Sequence, residues 1–173
     1  MITIELVALT LVAIAACTDV RSRRIPNWLT VPACILGISL HRFLGGWSGL
    51  KLSLEGAGIA LAVLFPVVLL RGLGAGDWKL FGALGAFVGP VGIMLILFFA
   101  VMIGGAMAIF LTIRRRMFWS TVKNLWALMK GFFIYGLRPN PEVSLDNPGL
   151  LKLPFAVATA LATVIVFTSG HIF

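Results

Sequence analysis

The sequence predicts an all-α protein: a polytopic membrane helix bundle of about six transmembrane helices, with a further amphipathic helix on the cytoplasmic side. Hydrophobic residues make up 60% of the 173 residues and charged residues only 12%, too few to cover a soluble domain with a polar shell. The apolar stretches are continuous rather than alternating, which favours helices over a barrel. The formal net charge of +8 is typical of cytoplasmic loops and a membrane surface, so no nucleic-acid partner is expected.

Five apolar runs provide the predicted helices, and they cover residues 2–18, 28–44, 52–70, 80–113 and 152–170. The fourth run would make a helix about 51 Å long, whereas the hydrocarbon core of a bilayer is about 30 Å thick. Gly89-Pro90 interrupts this run, and proline is a common helix boundary. We therefore divide it into a helix that ends near Val88 and another from about Val91 to Ile113, which makes six in total.

Basic residues predict the orientation of these helices. Arginines follow the first run and none precedes it, so residues 2–18 are interpreted as a retained transmembrane helix rather than a signal peptide. With six helices and the N-terminus outside, 12 of the 14 Lys and Arg residues fall on the cytoplasmic side. Only Arg42 and Lys51 fall outside.

Residues 114–151 form the one sizeable polar stretch of the sequence. Aromatic and aliphatic residues recur in it at helical spacing between Phe118 and Phe133, with Lys123 and Lys130 among them. This pattern predicts a cytoplasmic loop that carries an interfacial amphipathic helix, with the lipid bilayer as a partner. The whole chain, residues 1–173, is predicted to be a single membrane-embedded domain.

Two acids fall at the same end of this predicted bundle. Asp19 follows the first apolar run, and Asp77 follows the third. A carboxylate at membrane depth costs roughly 2.5 kcal/mol or more, so it usually has a function or a partner. The predicted topology brings both acids to the cytoplasmic end, whereas the other carboxylates lie near the outer face or in the 114–151 loop.

A pair of neighbouring carboxyl groups can hydrolyse an amide bond. Like charges a few ångströms apart do not both ionise easily, so one group keeps its proton. The ionised carboxylate accepts a proton from water as the water attacks the carbonyl carbon, and the protonated group donates to the carbonyl oxygen. Gly74 and Gly76 precede Asp77 and lack Cβ atoms, which lets a peptide backbone approach closely.

Other chemistries find no matching residues in the sequence. It contains no His-Glu-x-x-His zinc motif and no Gly-x-Ser-x-Gly elbow. Cys17 and Cys34 lack the spacing of a metal or redox motif. His41 and His171 fall on the outer side in the predicted topology, away from the acids, which excludes a Ser-His or Cys-His dyad there. No metal and no cofactor are expected.

Two phrases of the sequence carry a resemblance to a known family. They read Asp19-x-Arg21-x-x-x-Ile25-Pro26-Asn27 and Gly74-x-Gly76-Asp77-x-Lys79. Together they resemble the signature of the type IV prepilin leader peptidases, which belong to the GxGD membrane aspartyl proteases. Residues 79–85 and 153–158 are similar to the same family, so the resemblance extends over nearly the whole chain.

The resemblance implies a membrane aspartic endopeptidase that removes the short basic leader from prepilins or pseudopilins at the cytoplasmic face of the bacterial inner membrane. Asp19 and Asp77 match the two catalytic aspartates. The remaining motif residues are expected to bind substrate or to shape the site: Gly74, Gly76, Lys79, Arg21, Pro26 and Asn27. The implied partners are the prepilin or pseudopilin substrate and the pilus or secretion assembly machinery.

Larger members of the family carry an N-terminal cytoplasmic domain with four cysteines and also methylate the mature pilin. This sequence has two cysteines, and it resembles the compact form found with tight-adherence, or Flp-type, pilus systems. Archaeal preflagellin peptidases share the same chemistry and stay open as an alternative. Two further hypotheses also stay open: a non-catalytic assembly factor of a pilus or secretion system, and a small proton-coupled transporter.

Overall fold

The computed structural model describes residues 2–70, 72–114 and 154–170, together with Trp126. The described residues form four helices: α1 (Ile2–Ser22), α2 (Asn27–Leu69), α3 (Ala75–Arg114) and α4 (Phe155–Thr168). The predicted all-α fold class is therefore confirmed over this part of the chain. The predicted cytoplasmic loop with its interfacial helix, residues 114–151, lies outside the described residues apart from Arg114 and Trp126.

The prediction of six transmembrane helices is wrong in its helix count. Two of the described helices, α2 and α3, are long and apolar enough to cross a membrane, and α4 is a shorter apolar helix. The interruptions that separated the predicted helices, at residues 45–51 and at Gly89-Pro90, fall inside α2 and α3. The sequence predicted a helix boundary at each of these positions, and the structure has a kink there, at Gly46 and Gly89, where two helical pieces follow each other without an intervening loop.

Helices α2 and α3 are each kinked at one glycine. Gly46 has φ 62° and ψ −140°, and Gly89 has φ 71° and ψ −175°. A positive φ is costly for a residue with a Cβ atom, whereas glycine adopts it readily. In α3 the kink is followed by Pro90, which lacks the N–H that would otherwise bond to the carbonyl oxygen of Ala86. Both kinks therefore have a local chemical cause.

Two polar side chains of α2 satisfy carbonyl groups next to the α3 kink. Ser53 Oγ donates a hydrogen bond of 2.8 Å to the carbonyl oxygen of Ala86, and His41 Nε2 donates one of 2.8 Å to that of Phe87. Both side chains are buried. A buried carbonyl without a donor costs about 1–3 kcal/mol, so these bonds stabilise the kinked helix. His41 thus has a structural partner about 15 Å along α3 from Asp77.

Helix α3 is the central element of the bundle, and α2 and α4 pack against it. Its residues 80–89 are all buried. Where α2 and α3 cross, Gly56 and Gly85 face each other so closely that a Cβ atom on either would overlap the carbonyl oxygen of the other. Gly82 likewise packs against Leu61. These glycines let two helices approach closely, which is how small residues act in membrane proteins.

Candidate active site

The end of α1 and the start of α3 meet at a cavity of about 280 Å³. This cavity, named here the acid cavity, is lined by Asp19, Arg23, Arg24, Ile25, Gly74, Ala75, Gly76 and Asp77. The two carboxyl groups are close enough to interact electrostatically. The structure therefore brings together the two acids that the sequence singled out, although 57 residues lie between them in the chain.

The carboxyl group of Asp19 is held by the start of α4. Asp19 is only 8% exposed, and its Oδ2 accepts a hydrogen bond of 3.1 Å from the backbone N–H of Ala156. Ala156 is the second residue of α4, and N–H groups in the first turn of a helix have no partner within the helix. The Asp19 carboxylate therefore accepts a hydrogen bond from a first-turn N–H group of α4, and this bond fixes the orientation of the carboxylate.

Arg23 ends α1 and turns the chain into the acid cavity. Its φ is 51°, and its backbone N–H donates a 2.8 Å hydrogen bond to the carbonyl oxygen of Asp19. A residue in this left-handed conformation is a common way to end a helix. The turn directs Arg24 and Ile25 to the cavity, and the Arg23 side chain is near enough to interact with the Asp19 carboxyl group.

Asp77 lies in the first turn of α3, directly before the buried stretch at residues 80–89. Its Oδ1 atom is buried and has no hydrogen-bond partner among the described residues. Thr30 Oγ1 is in the same condition, but Thr30 does not line the acid cavity. Because buried polar atoms are nearly always hydrogen-bonded in proteins, the Asp77 oxygen is suited to a bound molecule in the cavity.

Gly74 and Gly76 make room on the two sides of Asp77. A Cβ atom on Gly74 would lie 3.1 Å from Asp77 Oδ2. A Cβ atom on Gly76 would lie 3.1 Å from the Cβ of Ile25, and 3.2 Å and 3.3 Å from the Ile25 carbonyl oxygen and nitrogen. At Gly76 the backbone that approaches closely is the protein's own, at Ile25, whereas the neighbour of Gly74 is the Asp77 side chain.

The other predicted site residues are Lys79, Asn27, Pro26 and Arg21, and none of them lines the acid cavity. Lys79 Nζ donates a 2.9 Å hydrogen bond to Asn27 Oδ1, so these two residues join α3 to the start of α2 beside the cavity. Pro26 is the N-cap residue of α2, and its carbonyl oxygen accepts the N–H of Leu29 at 3.1 Å. Arg21 is exposed in the last turn of α1 and does not line the cavity.

No metal cluster was found in the described ranges. No group of three or more His, Cys, Asp or Glu side chains there could hold a metal ion. Another cavity, of about 390 Å³, lies between α1 and α2, and Thr10 is the one polar residue in its lining. Cys17 and Cys34 are both free thiols. The acid cavity therefore holds the ionisable groups suited to catalysis in this part of the chain.

Sequence reasoning missed Ala156, Arg23, Arg24, Ile25 and Ala75 as parts of the site. Ala156 lies in the phrase at residues 153–158 that carried the family resemblance, but it contributes a backbone N–H. A backbone contact leaves no pattern of side-chain chemistry in a sequence, so nothing in that phrase could indicate that it reaches Asp19. The arginines were predicted to mark the cytoplasmic side of the membrane, and their position at the cavity depends on the turn at Arg23.

A family model described as the type IV leader peptidase family matches residues 6–109. The chain belongs to this family. The matched range contains both acids and the whole lining of the acid cavity, whereas α4 lies outside it. As a type IV leader peptidase family member, the protein is a peptidase, and its long apolar helices α2 and α3 are those of a membrane protein. No curated protein and no solved structure matches the chain.

Proposed function

We propose that this protein is a membrane aspartic endopeptidase that removes the short basic leader from Flp-like type IV prepilins or pseudopilins. The observation that carries the proposal is the acid cavity, where Asp19 from α1 and Asp77 from α3 interact with each other. Membership of the type IV leader peptidase family supports the reaction class. The unpartnered Oδ1 of Asp77 supports a bound water or substrate at this point.

In the proposed reaction, the two carboxyl groups share one proton, because two neighbouring carboxylates repel each other. The ionised group accepts a proton from a water molecule whose oxygen attacks the carbonyl carbon of the scissile peptide bond. The protonated group donates its proton to the carbonyl oxygen, which gives a neutral tetrahedral intermediate. The C–N bond then breaks as the leaving amine takes a proton from one carboxyl group and a hydroxyl group of the intermediate returns a proton to the other carboxylate. The acid and base roles belong to the pair as a unit.

The basic residues support a cytoplasmic site. Arg21 lies in the last turn of α1, Arg23 and Arg24 follow that helix, and Lys79 follows Asp77 on α3. Positively charged residues concentrate on the cytoplasmic side of membrane proteins. The proposed orientation therefore has the N-terminus outside and the acid cavity at the cytoplasmic face of a bacterial inner membrane, where a newly made prepilin arrives. Pilus or secretion assembly machinery would receive the cleaved product.

Co-expression with a Flp-type prepilin tests the proposal. Asp19→Asn and Asp77→Asn should each slow leader removal by roughly 10²–10⁴, the usual contribution of general acid–base catalysis. Glu55→Gln is the matched control, because Glu55 is an exposed carboxylate on α2 away from the acid cavity. Leader removal is measured from the mass of the pilin by mass spectrometry. Processing at the normal rate in both Asp variants would show that the assignment of the catalytic aspartates is wrong.

The same variants separate this proposal from its alternatives. Normal pilus assembly by both Asp variants, with the leader still attached, would favour a non-catalytic assembly factor. A flux that depends on a pH gradient in vesicles, with no cleaved product, would favour a proton-coupled transporter. Cleavage of an archaeal preflagellin in place of a Flp-type prepilin would keep the chemistry and change the substrate.

A further inference from the structure

Lys79 and Asn27 form a side-chain connection between α3 and α2 beside the acid cavity. Lys79 is the fifth residue of α3, Asn27 is the first residue of α2, and Lys79 Nζ lies 2.9 Å from Asn27 Oδ1. Lys79 is also two positions after Asp77. Side chains two positions apart on a helix do not face each other. The geometry thus directs the Lys79 ammonium group to Asn27, and not to the neighbouring acid.

The connection acts on the segment that leads from Asp19 to α2. This segment, Arg23 to Pro26 and here named the linker, supplies Arg23, Arg24 and Ile25 to the lining of the acid cavity. Gly76 packs closely against the linker at Ile25, because a Cβ atom added to Gly76 would lie only 3.1 Å from the Cβ of Ile25. The linker is therefore fastened to the first turns of α3 in two ways: by close packing at Gly76, and by the Lys79 hydrogen bond immediately after it.

Helix α1 needs such a fastening because it makes few contacts with the helix that carries Asp77. It packs mainly against α4, and it touches α2 and α3 at few positions. The distance between the two acids therefore depends on α4, which packs against both α1 and α3, and on how the linker is attached to α3. Catalysis is sensitive to this distance, since a misplacement of about 1 Å can reduce a rate roughly 100-fold.

We propose that Lys79 is a positioning residue, which acts through Asn27 to hold the linker against α3 and thereby sets the separation of Asp19 and Asp77. This inference rests on the proposed function for its effect on cleavage. The competing explanation is that the Lys79 charge acts on Asp77 directly. The two explanations differ over Asn27, which matters to the first and is irrelevant to the second.

The first experiment compares Lys79→Met, Asn27→Leu, Asn27→Asp and the double variant Lys79→Met/Asn27→Leu in cleavage of a purified Flp-type prepilin. Each of the two single losses should lower kcat about tenfold with little change in KM, which corresponds to a displacement of about 0.5 Å. Asn27→Asp keeps an acceptor for the lysine and should recover most of the rate. The double variant should be no slower than either single variant, because both remove the same bond.

The contrary results are equally specific. A normal kcat in Asn27→Leu, a double variant in which the losses multiply, or a pH–rate profile displaced in Lys79→Met but not in Asn27→Leu would each overturn the positioning role. Asn27→Leu carries the test alone if Lys79→Met does not fold, because Asn27 is an exposed residue at the first position of α2. Lys51→Met, at an exposed lysine remote from the cavity, is the matched control for loss of a charge.

A second experiment measures the separation of the acids without any catalysis. In a background with Cys17→Ser and Cys34→Ala, the pair Asp19→Cys and Asp77→Cys is oxidised in membranes. Adding Lys79→Met or Asn27→Leu should slow disulfide formation several-fold, whereas Lys51→Met should not. Equal oxidation rates in all three would overturn the inference. A slowed oxidation rate, together with an unsubstituted protein that cleaves no prepilin, would support the positioning role and refute the proposed function, so the two failures are distinguishable.

Discussion

Gly76→Ala tests whether the contact between α3 and the linker controls the rate of cleavage. The added Cβ would lie 3.1 Å from the Ile25 Cβ and 3.2 Å from its carbonyl oxygen, whereas ordinary contacts begin at 3.4 Å. The linker must therefore move away by a few tenths of an ångström. If a displacement of about 1 Å costs roughly 100-fold in rate, a shift of about 0.3–0.5 Å should lower kcat roughly fourfold to tenfold.

Gly58→Ala is the matched control for this prediction. Gly58 is also a helical glycine, and a Cβ atom there would meet nothing within 4 Å. Both substitutions add one methyl group to a helical glycine, and only the one at Gly76 meets a neighbouring segment of the chain. The measurement is the initial rate of leader removal at saturating prepilin, with a thermal unfolding curve for each variant. A Gly76→Ala enzyme as fast as Gly58→Ala would refute the argument that this contact sets the site geometry.

Three further substitutions test other parts of the structure. Asp19→Glu keeps the charge but moves the carboxyl group by about 1.5 Å relative to its amide donor in α4. The rate of prepilin cleavage should therefore fall by roughly 100-fold or more. A normal rate would mean that the charge alone suffices. Ser53→Ala leaves the carbonyl of Ala86 without its donor and should lower the free energy of unfolding by about 1–3 kcal/mol, which a lower unfolding temperature would register. Gly85→Ala forces α3 away from Gly56, and at the usual overpacking cost of about 1–3 kcal/mol it should destabilise the protein more than Gly58→Ala does.

The pairing of the two acids was predictable from sequence because the apolar runs and the basic residues together predict that both acids lie at one end of the bundle. Asp19 ends one apolar run, and Asp77 follows another, so the direction of the helices determines on which side each acid lies. The close approach at Gly76 was also predictable in kind, because a missing Cβ atom permits it. The identity of the approaching backbone was not, because Ile25 reaches Gly76 through the turn at Arg23, and nothing in the local sequence indicates a positive φ at an arginine.

The helix count failed for a related reason. An interruption in hydropathy or a proline marks a weak point in a helix, but whether a loop or a kink results depends on the neighbouring helices. At the α3 kink, Ser53 and His41 donate to the carbonyl groups of Ala86 and Phe87 across the interface with α2. These donors lie more than thirty residues away in the sequence from the carbonyl groups that they satisfy. The sequence around Pro90 therefore could not indicate that the carbonyl group of Ala86, which Pro90 leaves without an N–H donor, has a partner on α2.

The kink and the first turn of α3 differ in how their buried polar groups are satisfied, and this contrast is an argument about function that does not depend on any motif. At the kink, the buried carbonyl groups of Ala86 and Phe87 accept hydrogen bonds from donors on α2, as stability requires. At the first turn, α3 buries the Asp77 Oδ1 without a partner among the described residues, next to a second acid. The protein thus satisfies the buried carbonyl groups between α2 and α3 but leaves the Asp77 Oδ1 without a donor in the acid cavity. An unfavourable arrangement of this kind persists in proteins where binding or catalysis uses it.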